Sequence, residues 1–170
     1  MQHFIIMKTK IVDATQVKKI IRRMAYQIFE RNFDAKELIF AAITGQGKEV
    51  ARQLIEELAE VSKIKLQLIE VQIDKANPLP SEVVLNPSVK LTGKTIIMVD
   101  DVLNTGRTLI YSFSPFLNQQ VKSIQVAVLV DRNHPSYPVN ADYKGISLQT
   151  TLQEHVSVEI ERKKINIYLK

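Results

Sequence analysis

The chain has 170 residues, 45% of them hydrophobic, with no cysteine, no tryptophan and a formal net charge of +5. That length suits one domain (residues 1–170) with a proper core. The lack of cysteine excludes disulfides and thiolate chemistry and points to a cytoplasmic setting, and no apolar run reaches the ~20 residues of a membrane helix. The charge is unevenly placed: residues 1–33 carry seven bases and two acids, whereas residues 34–170 are balanced.

Met1 to Lys8 has neither a basic leader nor a long apolar stretch and does not read as a signal peptide. Asp13-Ala14-Thr15-Gln16 reads as a capping box, and Val17, Ile20, Ile21, Met24, Ala25 and Ile28 recur behind it at helical spacing. Leu38 to Ile43 predicts a buried strand, Thr44 to Gly47 a tight loop, and Lys48 to Glu60 a helix with Val50, Leu54, Ile55 and Leu58 inward. Lys65 to Ile73 predicts another strand. Asp74 to Thr92 is turn-rich, broken by Pro78, Pro80 and Pro87. Thr95 to Val99 predicts a strand, Thr108 to Leu117 a helix interrupted at Pro115, and Ser123 to Val130 a further strand. Strand-like pieces at Val156–Ile160 and Ile165–Leu169, with Arg162-Lys163-Lys164 as the turn between them, complete the chain. The alternation up to residue 130 predicts an α/β fold: a mostly parallel sheet, helices on both faces, and a small terminal cap over the site. Ligands of such sheets bind beyond the carboxyl ends of the strands, where Thr44–Gly47 and Asp100–Thr108 fall.

The run Ile96-Ile97-Met98-Val99-Asp100-Asp101-Val102-Leu103-Asn104-Thr105-Gly106-Arg107-Thr108 carries the chemistry. Two adjacent acids ending an apolar strand cost desolvation unless they have a partner. They can accept hydrogen bonds from ribose hydroxyls. The N–H groups of Thr105 to Thr108 can face a phosphate, aided by the positive end of the helix that follows. Gly106, lacking a Cβ, lets the backbone approach the anion. A helix cap at Thr105 would explain one hydroxyl and leave the acids unexplained.

This segment resembles the phosphoribosyl pyrophosphate (PRPP) motif of type I phosphoribosyltransferases: four apolar residues, two acids, then a Thr-Gly-x-Thr loop. Ile11-Val12-Asp13, Arg22-Arg23-Met24-Ala25, Ile28 to Asn32, Ser123 to His134 and Ala141-Asp142-Tyr143 resemble one subfamily of these enzymes, the pyrimidine operon attenuator and uracil phosphoribosyltransferase (PyrR). The resemblance runs from about residue 11 to about residue 160 and implies the type I phosphoribosyltransferase fold. It implies transfer of ribose 5-phosphate from PRPP to a nucleobase, a pyrimidine such as uracil, with release of pyrophosphate. Mg²⁺ would be held mainly by the substrate rather than by the protein. Asp100 and Asp101 would hold the ribose, and Asn104, Thr105, Gly106, Arg107 and Thr108 the 5′-phosphate. Val130, Asp131 and Arg132 open the segment, reaching to Tyr137, under which the base would lie. A homodimer is also implied.

The sequence departs from the subfamily in the pyrophosphate loop, Thr44-Gly45-Gln46-Gly47, where relatives carry Lys-Thr-Arg-Gly. Thr44 and Gln46 replace two cations. Lys48 either compensates in part or is a solvated first-turn residue. Lys75, in Asp74-Lys75-Ala76-Asn77-Pro78, stands in place of a flexible-loop arginine, and Asn104 replaces a tyrosine. The half of the site that grips ribose 5-phosphate is intact and the half that handles pyrophosphate is eroded. A second function is thus open: a catalytically weak sensor of PRPP or a nucleoside monophosphate. Lys18, Lys19, Arg22 and Arg23 lie at helical spacing on one face, either solvated or, as the subfamily implies, RNA-binding. His134 is open to two readings, a base or phosphate contact and a surface turn.

Overall fold

The computed structural model describes residues 8–151 and 153–170; the stretch Met1 to Lys8 read above falls largely in residues 1–7, outside the described residues. The elements are β1 (Thr9–Val12), α1 (Ala14–Arg31), β2 (Glu37–Ile43), α2 (Gly47–Val61), β3 (Lys65–Gln72), β4 (Val84–Asn86), β5 (Thr95–Leu103), α3 (Arg107–Ser112), α4 (Ser114–Leu117), β6 (Ser123–Asp131), β7 (Tyr143–Ser147), β8 (Val156–Glu161) and β9 (Lys164–Leu169). Six strands form one sheet in the order β4-β3-β2-β5-β6-β7, parallel except for β4. β1, β9 and β8 form a second, antiparallel sheet.

Alternation along β2 explains the layering. Leu38, Phe40 and Ala42 join a core with Val17, Ile21, Met24 and Ile28 of α1 and Val50, Leu54 and Leu58 of α2. Ile39, Ala41 and Ile43 join the opposite core, with Leu109 of α3 and Phe116 of α4. Both faces are covered, as the apolar runs predict. The capping box at Asp13 is present in both directions. The terminal sheet belongs to the α1–α2 side, where Val158, Ile165 and Ile167 enter that core. Arg162 and Lys163 both adopt positive φ, the two-residue turn between β8 and β9.

Three elements were not anticipated. β1 and β7 are short, and strands of four or five residues carry little periodicity of their own. Within the proline-rich stretch after β3, Pro80–Glu82 makes one 3₁₀ turn, and β4 then pairs antiparallel with β3. Sheet edges tolerate the proline that follows β4.

The strand order places the site. The chain leaves β2 toward β3 on one side and later enters β5 on the other, so the loops after β2 and β5 diverge across a topological switch point. β5 does not stop at Val99 as expected; it runs through Leu103, and Asp100 pairs with Val128 of β6. Both acids therefore lie within the strand. No helix among the described residues is long and apolar enough to cross a membrane.

Candidate functional site

β5 supplies the centre of the site. Ile97 and Val99 pack into the α1–α2 core, and so does Val102, three residues on, while Leu103 reaches the other core. Strict two-residue alternation would put Val99 and Val102 on opposite faces. The alternation lapses at Asp100 and Asp101, which sit at the turnover between the two cores. Asp100 is only 4% exposed, and its Oδ1 accepts the Asp101 N–H at 3.0 Å. Burial, then the neighbouring Asp101 charge, pushes the Asp100 carboxyl up to about 8, against the opposing pull of Lys75.

The turn after β5 is built from Asn104 to Thr108. Gly106 has φ +83°, a left-handed conformation that suits glycine and reverses the chain tightly. The Thr105 hydroxyl accepts the Arg107 N–H at 3.3 Å, and its carbonyl accepts the N–H groups of Ser136 and Tyr137 at 2.9 and 3.1 Å. The turn is thus held from both sides. The first-turn N–H groups of Thr108 and Leu109 have no intrahelical acceptor. Asp100, Val102 and residues 103–109 enclose about 60 Å³. This is far below the ~300–1,000 Å³ of a pocket holding a whole ligand, and on the scale of a small anion. α3 is six residues long, so the expected help from a helix end reduces to these local N–H groups.

The loop after β2 forms the opposite wall. Gly45 has φ +104°, and Gly47 lies against β5. The Thr44 hydroxyl donates to the Val71 carbonyl at 2.8 Å and accepts the Ile73 N–H at 3.3 Å. It ties the loop to β3 instead of facing a ligand. Gln46 is exposed at the start of α2 and its side chain makes no capping bond. Lys48 turns outward to Glu70, 2.5 Å away, which decides between its two readings: it is a first-turn surface cation.

Lys75 crosses from the segment after β3 to the acids. Its Nζ lies 3.0 Å from Asp100 Oδ1 and 3.9 Å from Asp101 Oδ1. A Cβ built on Gly45 would stand 3.6 Å from the same nitrogen. Gly45, Gly47, Lys75, Asp100 and Asp101 thus come together, and Asp100 also lines the cavity of residues 104–108.

The side chains of the base segment are engaged within the fold. Val130 is core. Asp131 is buried, paired with Lys144 at 2.5 Å, and accepts the Asn133 N–H at 2.9 Å. The Arg132 guanidinium, also buried, donates to Thr150 Oγ1 at 2.9 and 3.0 Å, to the Glu154 carbonyl at 2.6 Å and to the Thr151 carbonyl at 3.3 Å. His134 bonds the Thr150 carbonyl at 2.7 Å. These side chains fasten the strap between β7 and β8, so a base below this segment would meet backbone groups and a recess of about 40 Å³ beside Asn104, Asn133 and Lys144. Lys144 was missed because β7, which carries it, has no clear signature in the sequence.

Lys18, Lys19, Arg22 and Arg23 are all exposed, on the side of α1 opposite the buried Val17, Ile21 and Met24. Lys18 lines a groove with Glu49, Glu56 and Glu57 of α2, and Arg22 lies 3.9 Å from Glu57. Arg23 donates to the Lys144 and Gly145 carbonyls of β7. α1 is flanked by two different neighbours, α2 beside Lys18 and Arg22 and β7 beside Arg23. Among the described residues no cluster of three or more His, Cys, Asp or Glu side chains could hold a metal ion. Two carboxylates suit an ion that keeps waters and substrate oxygens as its main ligands, which is how Mg²⁺ is commonly bound.

A parallel sheet with a switch point, an acid pair on its central strand and an amide-lined turn behind it define a phosphoribosyltransferase-type site, and the phosphoribosyl transferase domain family matches residues 7–162. The chain is 34% identical over 161 residues to the bifunctional protein PyrR of Brevibacillus brevis, covering 90% of each chain. It is 33% identical over 163 residues to the bifunctional protein PyrR of Haemophilus ducreyi, covering 91% of each. The chain belongs to the phosphoribosyl transferase domain family and, within it, to the PyrR group. Its fold is that of the type I enzymes. The hypoxanthine phosphoribosyltransferase of Trypanosoma cruzi superposes with a TM-score of 0.78 at 15% identity, covering 94% of this chain and 95% of that one. A Bacillus anthracis hypoxanthine-guanine phosphoribosyltransferase gives 0.70 at 22% identity, covering 82% of each.

Proposed function

We propose that the protein binds PRPP and transfers its ribose 5-phosphate to a nucleobase, a pyrimidine such as uracil, releasing pyrophosphate. The observation that carries this reading is that Asp100 lines one small cavity with the Thr105–Thr108 turn, with Asp101 beside it on β5. A pentose bound there would meet the acids through its hydroxyls and the turn through its 5′-phosphate. The transition state of such a transfer has oxocarbenium character, so catalysis rests on orientation and placed charge. Asp100 and Asp101 orient the ring, the turn anchors the phosphate, and backbone groups of residues 130–137 meet the base edge. Mg²⁺ bound with PRPP would neutralise the diphosphate, with the two acids as the nearby carboxylates. Transfer is expected to be slow, because Thr44 is committed to β3 and Lys48 to Glu70.

That same observation favours a second reading, a nucleotide-responsive regulator on the same site. The exposed cations of α1, Lys18, Lys19, Arg22 and Arg23, are the face an RNA form of this regulator would use. Pyrophosphate release from PRPP and Mg²⁺ with a panel of bases, alongside a titration with uridine monophosphate, tests both. Turnover with uracil supports transfer. Tight binding of both nucleotides with no release under any base supports the regulator, and no binding of either removes both.

A further inference from the structure

Tyr137 grips the turn after β5 at both of its ends. Its main-chain N–H donates to the Thr105 carbonyl at 3.1 Å, beside the Ser136 N–H at 2.9 Å. Its ring meets Tyr111 of α3 edge to face, with centroids 6.3 Å apart. Between these two points, a Cβ built on Gly106 would stand 3.6 Å from the Tyr137 Cβ and 3.4 Å from the Val139 Cβ. The segment therefore backs the turn at ordinary contact distance.

The consequence lies in the Thr105–Gly106 peptide, which is trans. A trans peptide is planar, with its N–H directed opposite to its C=O. Because the Thr105 carbonyl is turned to Ser136 and Tyr137, the Gly106 N–H faces away from them, on the side of the cavity that Asp100 lines with residues 103–109. Gly106 is buried, yet its N–H meets no acceptor among the described residues. A buried N–H is nearly always paired, so this one is left for a ligand. A carbonyl that accepts two hydrogen bonds also polarises its peptide and strengthens the N–H on the other side. Resting on the proposed 5′-phosphate site, we infer that Tyr137 is a positioning residue for it: it fixes the Thr105–Gly106 peptide from behind and so aims the Gly106 N–H at the phosphate. The segment proposed to meet the base thereby also sets a donor of the phosphate site.

Glycine occurs only five times in the chain, so selective ¹⁵N-glycine labelling reads the Gly106 amide directly. The full chain is titrated to saturation with uridine monophosphate and, in parallel, with PRPP–Mg²⁺, as wild type, Tyr137→Leu and Tyr137→Phe. In the wild type the Gly106 amide proton should move downfield with either ligand as it gains a charged acceptor. In Tyr137→Leu that displacement should be largely lost at saturation, and affinity should fall about tenfold, the scale of one charge-assisted hydrogen bond. Tyr137→Phe, which keeps the ring, should match the wild type in both. Tyr111→Leu removes the other half of the aromatic contact and repeats the test if Tyr137→Leu folds poorly. A full downfield displacement in the leucine variants overturns the inference even where affinity drops, because a loss of general stability leaves the direction of the donor unchanged. So does a wild-type Gly106 amide that stays in place while a ligand binds. Wild-type protein that binds neither ligand overturns the proposed function itself.

Discussion

Gly47 approaches β5 so closely that a Cβ built on it would stand 2.9 Å from the Val99 carbonyl oxygen and 3.4 Å from Asp100 Oδ1. The first turn of α2 is thereby held against the acid pair. Intrinsic helix propensity favours alanine over glycine, so a cost of Gly47→Ala would report the contact alone. The neighbour is backbone and cannot swing aside. Gly47→Ala should lose about 1–3 kcal/mol in urea denaturation, the usual cost of overpacking, and should weaken PRPP binding. Wild-type stability in this variant would show that α2 retreats freely from β5.

The Asp100 carboxyl, raised to about 8 by burial and by Asp101, titrates near 4 when the chain unfolds. Between about pH 4 and 8 the folded chain retains a proton that the unfolded chain has released, so this group's contribution to stability declines as pH rises through that interval. Ribose hydroxyls donate best to the ionised acid, so PRPP binding should tighten over the same interval. Asp100→Asn should flatten both slopes relative to the wild type. Melting temperatures and PRPP titrations at fixed ionic strength check this, and identical pH dependence in the two proteins would contradict it.

Restoring cations to the loop after β2 should not be symmetrical between the two positions. Gln46 is exposed and its side chain makes no capping bond, whereas the Thr44 hydroxyl holds the end of β3. Gln46→Arg should raise the rate of pyrophosphate release by about two decades, as a charged donor at a developing anion can supply ~2–4 kcal/mol. Thr44→Lys should give less and lower stability by about 1 kcal/mol for the lost hydrogen bonds. Initial rates and denaturation midpoints separate the two effects.

Arg132 should prove structural. Its guanidinium serves three residues of the β7–β8 strap while itself buried. Arg132→Met should cost about 1–2 kcal/mol by removing its hydrogen bonds to a strap whose acceptors are half-buried or, at Thr151, exposed. If Arg132 contacted the base instead, the variant would keep its stability and lose nucleobase affinity, which denaturation and equilibrium dialysis distinguish.

The elements with strong period were legible from the residues alone. The capping box at Asp13, the face of α1, the inward residues of α2 and the apolar runs of β2 and β6 all appear in place. So do the acid pair and the Thr105–Thr108 turn, because two carboxylates after an apolar run followed by a glycine turn form a local chemical pattern. β1, β4 and β7 were not legible, since each is short and its pairing is supplied by distant chain.

Local chain thus determined the acid pair, the glycine turn behind it and the cap of α1, since turn, strand and cap propensities act over a few residues. Only the tertiary structure decided what those groups do with their charges. It brought Lys75 to Asp100 across 25 residues, turned Lys48 to Glu70, and spent Arg132 and Asp131 on the strap and on Lys144. Charge pairing depends on distances in space and on burial, and neither is written in the spacing of residues along a chain.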